Sequence, residues 1–325
     1  MSDVTTIDAN ELELIRNSVR HLLEGDPSGF TTGLTELGWA DLYTADPAVA
    51  VGVLAEEVGR AAAAVPLLTT VLAQALGHPG AAIVLPPLAR GDGSGVPGVR
   101  AGDDVAINGL VEPGLGQPAS YLVATDGGVV AVDAVGLIAH ASATGDPSLG
   151  LTAVSGLLPH GPVVATAADW SAAVTIGRRA LAAALTGLAA RMLHDATEYV
   201  LVRQQFGRPI GSFQTVKHRL ADVHVAVTAA RAGTVTAWGD DTELSAMAAL
   251  CLAAKALRLA STHCHQVHGG IAFTTEHGFH TLIRRGQSWL GLLGHPDDLT
   301  RVIGERLVTG RVPRTPQLTR GAHHG

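Results

Sequence analysis

RQQFGRPIGSFQTVKHRLADVHV, from Arg203 to Val225, decides the fold. Gly207-Arg208-Pro209-Ile210-Gly211 interrupts two long apolar-periodic segments, so the chain reads here as a helix, a tight joint and a second helix. Upstream, Leu181, Leu185, Leu188 and Met192 keep the i, i+4, i+7 spacing of one buried stripe, and Asp169 is the expected cap of that helix. Downstream, Ser212 is the expected cap of a helix whose stripe is Val216, Leu220, Val223 and Val227.

A third helix is expected to begin with Asp240 and Glu243 in capping-box spacing and to run through Leu244, Met247, Cys251, Ala254 and Leu257. It meets a second informative stretch, QVHGGIAFTTEHGFHTLIRR from Gln266 to Arg285, where Gly269-Gly270 stops it. Pro296 opens a last helix through Leu299, Ile303 and Leu307. Four or five long helices with short joints make a bundle over residues 169–310, and 311–325 reads as a frayed tail.

The preceding texture differs. Residues 78–168 are rich in Gly and Pro, with β-type runs at Val105–Asn108, Tyr121–Thr125 and Val129–Val135 and a hairpin turn at Asp126-Gly127-Gly128. They predict a small antiparallel β domain. Residues 1–77 predict a helical layer, with an amphipathic start at Leu12, Ile15, Val19 and Leu22 and a second block around Val51–Ala64. The fold class is therefore mainly α with a small β domain.

With 325 residues and 47% hydrophobic content, the chain can bury a large core. Aromatics are only 4%, so small side chains must fill much of it, and helices can approach closely. A formal charge of −7 with dispersed signs argues against nucleic acid as the main partner. The longest uncharged helical candidate, Ala180–Ala190, is shorter than a membrane span, and the amino terminus has no signal pattern, so a cytoplasmic protein is expected. Cys251 and Cys264 fall about 20 Å apart on one helix and cannot bond each other.

Around the first break, Arg203 can pair with a pyrophosphate, Phe206 offers an aromatic face, and the next helix start presents backbone N–H groups to an anion, with Gln214 in its first turn. The plain alternative is a helix–turn–helix joint with an arginine capping carbonyls. Around the second, Gly269-Gly270 lets a ligand approach the backbone, or is simply a glycine cap. Of His263, Cys264, His265 and His268, only Cys264 and His268 share a helix face, so no metal site is expected. Lys217, His218 and Arg219 read as a solvated basic face.

These stretches resemble the acyl-CoA dehydrogenase family. The resemblance rests on Arg203-Gln204-Gln205-Phe206-Gly207, Pro209-Ile210, Gln214, Lys217 and Leu220-Ala221-Asp222, and on the Gln-x-x-Gly-Gly pattern at Gln266–Gly270. It implies an N-terminal helical domain, a middle antiparallel β domain, here reduced, and a C-terminal four-helix bundle. It also implies FAD, with Arg203, Gln204, Gln205, Phe206 and Gln214 at one segment and Gln266, Val267, His268, Gly269 and Gly270 at the other. In the family these segments hold the pyrophosphate and adenosine end of a flavin lying largely in a neighbouring subunit.

The chain departs from the family pattern in three ways. Ala272 replaces a usual glycine, and the Thr-Glu-Pro-x-x-Gly-Ser-Asp-like segment of the middle domain is missing. The third departure concerns the carboxylate base. The resemblance places it at Leu293 or, in some members, at Gly177, and no Asp or Glu occurs at 277–296 or 170–194. A subunit without catalytic residues is implied, working beside a partner that supplies the glutamate in an α2β2 acyl-CoA dehydrogenase. The resemblance extends to enzymes acting on steroid-derived thioesters and passing electrons to an electron-transfer flavoprotein or similar acceptor. Two alternatives stand beside it: a self-sufficient dehydrogenase with its base relocated to Glu276, Asp195 or Glu198, and a flavin-free assembly module.

Overall fold

The computed structural model describes residues 8–88, 91, 95–142, 144–273 and 278–310. The expected tail at 311–325 and Glu276 fall outside them.

Helix α1 (Ala9–Leu23) starts at Asp8 with a capping box closed by Glu11, and turns Leu12, Ile15, Val19 and Leu22 inward as the periodicity predicts. Two short helices follow, α2 (Phe30–Glu36) and α3 (Trp39–Ala45). Helix α4 (Pro47–Ala61) is capped by Asp46, and α5 (Leu67–Ala75) lacks a side-chain cap of its own. Glu112 supplies one from elsewhere, accepting from the backbone N–H of Leu68 at 3.2 Å and of Thr69 at 2.6 Å.

The β portion is a seven-stranded curled sheet. Its strands are β1 (Ala82–Val84), β2 (Gly98–Ala101), β3 (Asp104–Val111), β4 (Ser120–Thr125), β5 (Gly128–Asp133), β6 (Ile138–Ser142) and β7 (Thr152–Ala165). Thr125 pairs with Gly128 across Asp126-Gly127, the expected hairpin turn. The expectation of a purely antiparallel sheet is corrected at β1, which pairs parallel with β4 along Ala82–Val84 and Tyr121–Val123. A helix precedes β1, so it can enter the sheet in the same direction as β4 without a hairpin. The long β7 bridges β3, β5 and β6, a role no local pattern announces.

Helix α6 (Ala167–Val202) begins at Thr166, whose hydroxyl accepts from the N–H of Asp169 while the Asp169 carboxylate accepts from the N–H of Thr166. Asp169 is thus the N3 partner of a capping box, not the cap. After it come the two-residue strands β8 (Gln204–Gln205) and β9 (Arg208–Pro209), then helices α7 (Gln214–Asp240), α8 (Glu243–His268), α9 (Phe279–Trp289) and α10 (Pro296–Val308). Ser212 closes a short 3-10 turn and does not cap α7, because its hydroxyl is spent on the Pro209 carbonyl at 2.7 Å. Helix α8 starts at Thr242, not Asp240, which is the last residue of α7. Leu307 is exposed, so the α10 stripe stops at Ile303.

Helices α4 and α6 cross in very close contact. A Cβ on Gly59 would lie 1.9 Å from the Ala184 carbonyl oxygen, and one on Gly187 would lie 2.1 Å from the Glu56 carbonyl oxygen. Small residues therefore set the distance between the N-terminal helices and the bundle. Helix α8, which carries Lys255 and Arg258, is long and apolar enough to cross a membrane by length and composition, and half of its apolar window is buried inside the protein.

A buried ion pair fastens the layers together. Arg285 Nε donates to Asp146 Oδ2 at 2.6 Å, Nη2 donates to Ser148 Oγ at 3.2 Å, and Nη1 donates to the Ala62 carbonyl at the end of α4. One guanidinium thus joins α9, the segment after β6 and the N-terminal layer.

Candidate functional site

The first segment is a hairpin at the end of α6. Arg203 is the C-cap, Gln204 pairs with Pro209 and Gln205 with Arg208, and the turn residues Phe206 and Gly207 have φ of 53° and 77°. Both central residues at positive φ make a type I′ turn, which glycine takes freely and phenylalanine does not. Phe206 is nevertheless there, 90% exposed, its ring edge-on to Phe213 at 6.1 Å, while the Arg208 guanidinium lies 4.3 Å over Phe213. Every residue from Leu201 to Pro209 is exposed, and so is Gln214. Helix α7 has no side-chain cap, so its first N–H groups remain available to an anion.

The second segment lies at the same end of the bundle. Tyr199, one turn before Arg203, stacks on His268 at 4.8 Å, and His263 Nδ1 is 3.1 Å from the Arg219 carbonyl. Gln266 is exposed and Val267 half-buried, and a Cβ at Gly269 or Gly270 would meet nothing within 4 Å. His268 is turned inward between Tyr199 and Phe279, its Nδ1 2.7 Å from the Cys264 carbonyl. Its ring belongs to the core. The adjacent Cys264 thiol is pushed up to about 12 by burial, with the nearby Asp195 charge adding to the shift, so it stays protonated. Among the described residues no three His, Cys, Asp or Glu side chains converge as metal ligands.

Arg203, the three glutamines Gln204, Gln205 and Gln214, Gln266, and the open backbone at Gly269-Gly270 form a donor-rich, solvent-facing rim. This set fits the phosphate and adenosine end of a dinucleotide.

Positions 177 and 293, where the resemblance places a base, lie against each other. A Cβ on Gly177 would come 2.8 Å from Leu293 Cδ1 and 3.1 Å from Leu72 Cδ2. Leu72, Leu292 and Leu293 are all buried. Leu293 takes a left-handed φ of 54°, and its carbonyl accepts from Arg178 Nε at 3.0 Å. Arg178, buried, also donates to Glu243 at 3.0 Å, and Arg306 approaches the other oxygen of that carboxylate at 2.9 Å. The crevice is thus filled by leucines and tied shut through its backbone. Arg178 and Arg179 were the overlooked signal: two charges inside an alanine-rich apolar stripe must be spent on something. Arg179 is spent on Asp241 at 2.9 Å and the Trp238 ring at 4.8 Å.

The suggested relocated bases do not reach this place. Asp195 and Glu198 lie on the same helix as Gly177 but about 27 Å and 31 Å further along it. Asp195 is also paired with Arg191 at 2.8 Å. Glu112 is a buried carboxyl bound to the first turn of α5, the helix that carries Leu72. Burial pushes it up to about 7 against the two backbone N–H groups that pull it down, and its oxygens are already engaged by them.

Residues 169–307 match the family model described as acyl-CoA dehydrogenase, C-terminal domain. The chain is 35% identical over 275 residues to acyl-CoA dehydrogenase IpdE2 of Mycobacterium tuberculosis, covering 82% of this chain and 79% of that protein. Its fold matches a chain of the Tcur3481-Tcur3483 steroid ACAD G363A variant with a TM-score of 0.78, at 24% identity over 93% of this chain and 99% of that one. It also matches a chain of the ChsE4-ChsE5 complex from Mycobacterium tuberculosis with a TM-score of 0.72, at 23% identity over 96% and 100%.

Proposed function

Because the chain belongs to the acyl-CoA dehydrogenase family, we propose that it is the subunit of a heteromeric, FAD-dependent acyl-CoA dehydrogenase that contributes cofactor-binding residues while a partner supplies the catalytic glutamate. The observation that carries this reading is the contact between Gly177 and Leu293: both positions that the resemblance assigns to the base are apolar and pressed together over Leu72. A base must reach the α-proton of the thioester to act, and neither side chain holds a proton acceptor. The family's reaction is α,β-desaturation, in which FAD, when bound, supplies the hydride acceptor. In this chain Arg203 meets phosphate charge, Gln204, Gln205, Gln214 and Gln266 donate or accept hydrogen bonds, Phe206 covers an apolar face, and Gly269-Gly270 admits the ligand close to the backbone. His268 acts at one remove, its ring bracing the end of α8 against α6.

An α2β2 assembly, a bulky steroid-derived thioester held at the partner's site, and an electron-transfer flavoprotein or similar acceptor complete the proposal. The fold-level neighbours whose names mention a steroid enzyme or a two-protein complex support it. The test is production of the chain alone and together with an acyl-CoA dehydrogenase partner, scoring bound flavin and thioester oxidation. Both should require the pair; full activity of the chain alone overturns the reading.

A second reading, the self-sufficient dehydrogenase, keeps one residue in play. Glu243 is joined to the Leu293 carbonyl through Arg178 and lines a 260 Å³ cleft with Asp126, Trp170 and Val174. Arg178 and Arg306 occupy one oxygen each, so a substrate proton could reach this carboxylate only by displacing one of them. Glu243→Gln in an active homomeric preparation would settle whether it serves.

A further inference from the structure

Helices α7 and α8 lie antiparallel and side by side. His263 Nδ1 approaches the Arg219 carbonyl at 3.1 Å, and further along Leu252 closes over Gly233, where an added Cβ would lie 2.6 Å from Leu252 Cδ1. On the outward side of α7, Gln214, Ala221 and Thr228 repeat every seven residues, as do Val225, Ala232 and Gly239, and all of these are exposed. On α8 the same spacing joins Leu252, Leu259 and Gln266, with Leu252 and Gln266 exposed and Leu259 half-buried.

The two rows do not have the make-up of a surface that meets only water. Helices α1 and α10 each divide into an apolar and a polar side, whereas α7 hardly divides at all. Val225 is 66% exposed within its row, and half of the apolar window of α8 is left unburied. The charge between Leu252 and Leu259 is Lys255, which is exposed and makes no described ion pair. Gln214 and Gln266, both of the candidate rim, stand at the same end of the two rows, so the rim and the apolar face are one continuous surface.

We propose that the partner subunit of the heteromeric dehydrogenase docks on the outward face of α7 and α8 with a helical face of its own, small and apolar along its length and carrying a carboxylate opposite Lys255. The inference rests on the reading of the rim as one side of a shared flavin site. A cofactor held mainly by the partner reaches Arg203 and Gly269-Gly270 only if the partner sits against this end of the bundle. The size agrees: helices of 27 and 26 residues are about 40 Å long and side by side about 20 Å wide, so the face offers roughly 800 Å², about what each partner contributes to a stable interface. Small residues such as Ala221, Ala232 and Gly239 let a second helix approach closely, which fixes the distance from the rim to whatever the partner holds.

The test is calorimetric titration and size-exclusion chromatography of the purified chain with the glutamate-bearing acyl-CoA dehydrogenase subunit co-produced with it. Ala232→Arg places a charge in the middle of the face and should weaken association by about tenfold or more. Because the position is exposed, the helix content and thermal midpoint of the chain alone should not change. Leu14→Arg, on the exposed side of α1, should leave association as it is. Acetylation of Lys255 by acetic anhydride should slow by about tenfold or more in the complex, since water is excluded from the core of an interface. Wild-type affinity in Ala232→Arg, a Lys255 equally reactive bound and free, or a wild-type chain that pairs only with itself overturns the proposal. A wild-type complex that forms without flavin would instead overturn the cofactor reading, and the Ala232→Arg and Lys255 measurements would still decide where the partner sits.

Discussion

Gly177 and Leu293 explain why restoring a carboxylate would not restore a base. Gly177→Glu would drive its side chain into Leu293 and Leu72, and such overpacking costs about 1–3 kcal/mol, so a lowered thermal midpoint and no thioester oxidation are expected from the chain alone. Glu112 makes a second residue-scale prediction. Its carboxyl is raised to about 7 in the folded state from an ordinary value near 4.5, so the folded state holds this proton over a pH range where the unfolded chain has lost it. Stability should therefore be highest below pH 4.5 as far as this group is concerned, and should fall as pH rises through 7, by on the order of 3 kcal/mol for a shift of this size. Urea unfolding of Glu112→Gln between pH 5 and 8 should show that slope removed. Leu293 was visible in the sequence as an apolar residue in the base's place. That it touches Gly177, 116 positions away in sequence, required the three-dimensional crossing of α6 with the loop after α9.

At the scale of elements, helix starts depend on single side chains. Thr166→Ala removes the acceptor for the Asp169 N–H and should cost about 1 kcal/mol, measured as a shift in the denaturation midpoint without loss of helix content. Periodicity made the long helices α6, α7 and α8 legible, because Leu181–Met192, Val216–Val227 and Met247–Leu257 each repeat over several turns. It placed their starts less well. Asp169, Ser212 and Asp240 all have capping chemistry, yet Thr166 takes the cap of α6, the Ser212 hydroxyl turns back to Pro209, and Asp240 ends the preceding helix. A capping residue announces a nearby boundary and leaves open which side of it the helix lies on. The strand β1 and the long β7 were illegible for another reason: their partners lie far away in sequence, and three residues such as Ala82–Val84 carry no period. The two candidate cofactor segments were readable as helix joints with donors. Their meeting at one end of the bundle was not, since it depends on the Tyr199–His268 stack.

For the whole molecule, the Arg285–Asp146 pair predicts cooperative behaviour. Asp146 is held below the usual carboxylate range: burial pushes it up, and the bonds from Ser148 and Arg285 outweigh that. Arg285→Met would strand this buried charge and also release the Ala62 carbonyl, so a loss of about 3–5 kcal/mol is expected, with all layers unfolding in a single calorimetric transition at a lower temperature. In the complex with a partner, Arg203→Ala should lower retained flavin while leaving the assembly intact by size-exclusion chromatography, since Arg203 is exposed and makes no described ion pair.

The glycine crossing of α4 and α6 also dictates when the protein can fold. Gly59 finds its seat only against Ala184, and Gly187 only against Glu56, so the apolar face of α4 has no cover until more than half the chain has been synthesised. A nascent chain halted at residue 168 would carry the sheet and all the N-terminal helices and still expose that face. It should be held by chaperones or precipitate, and soluble product should appear abruptly once truncated chains extend through α6.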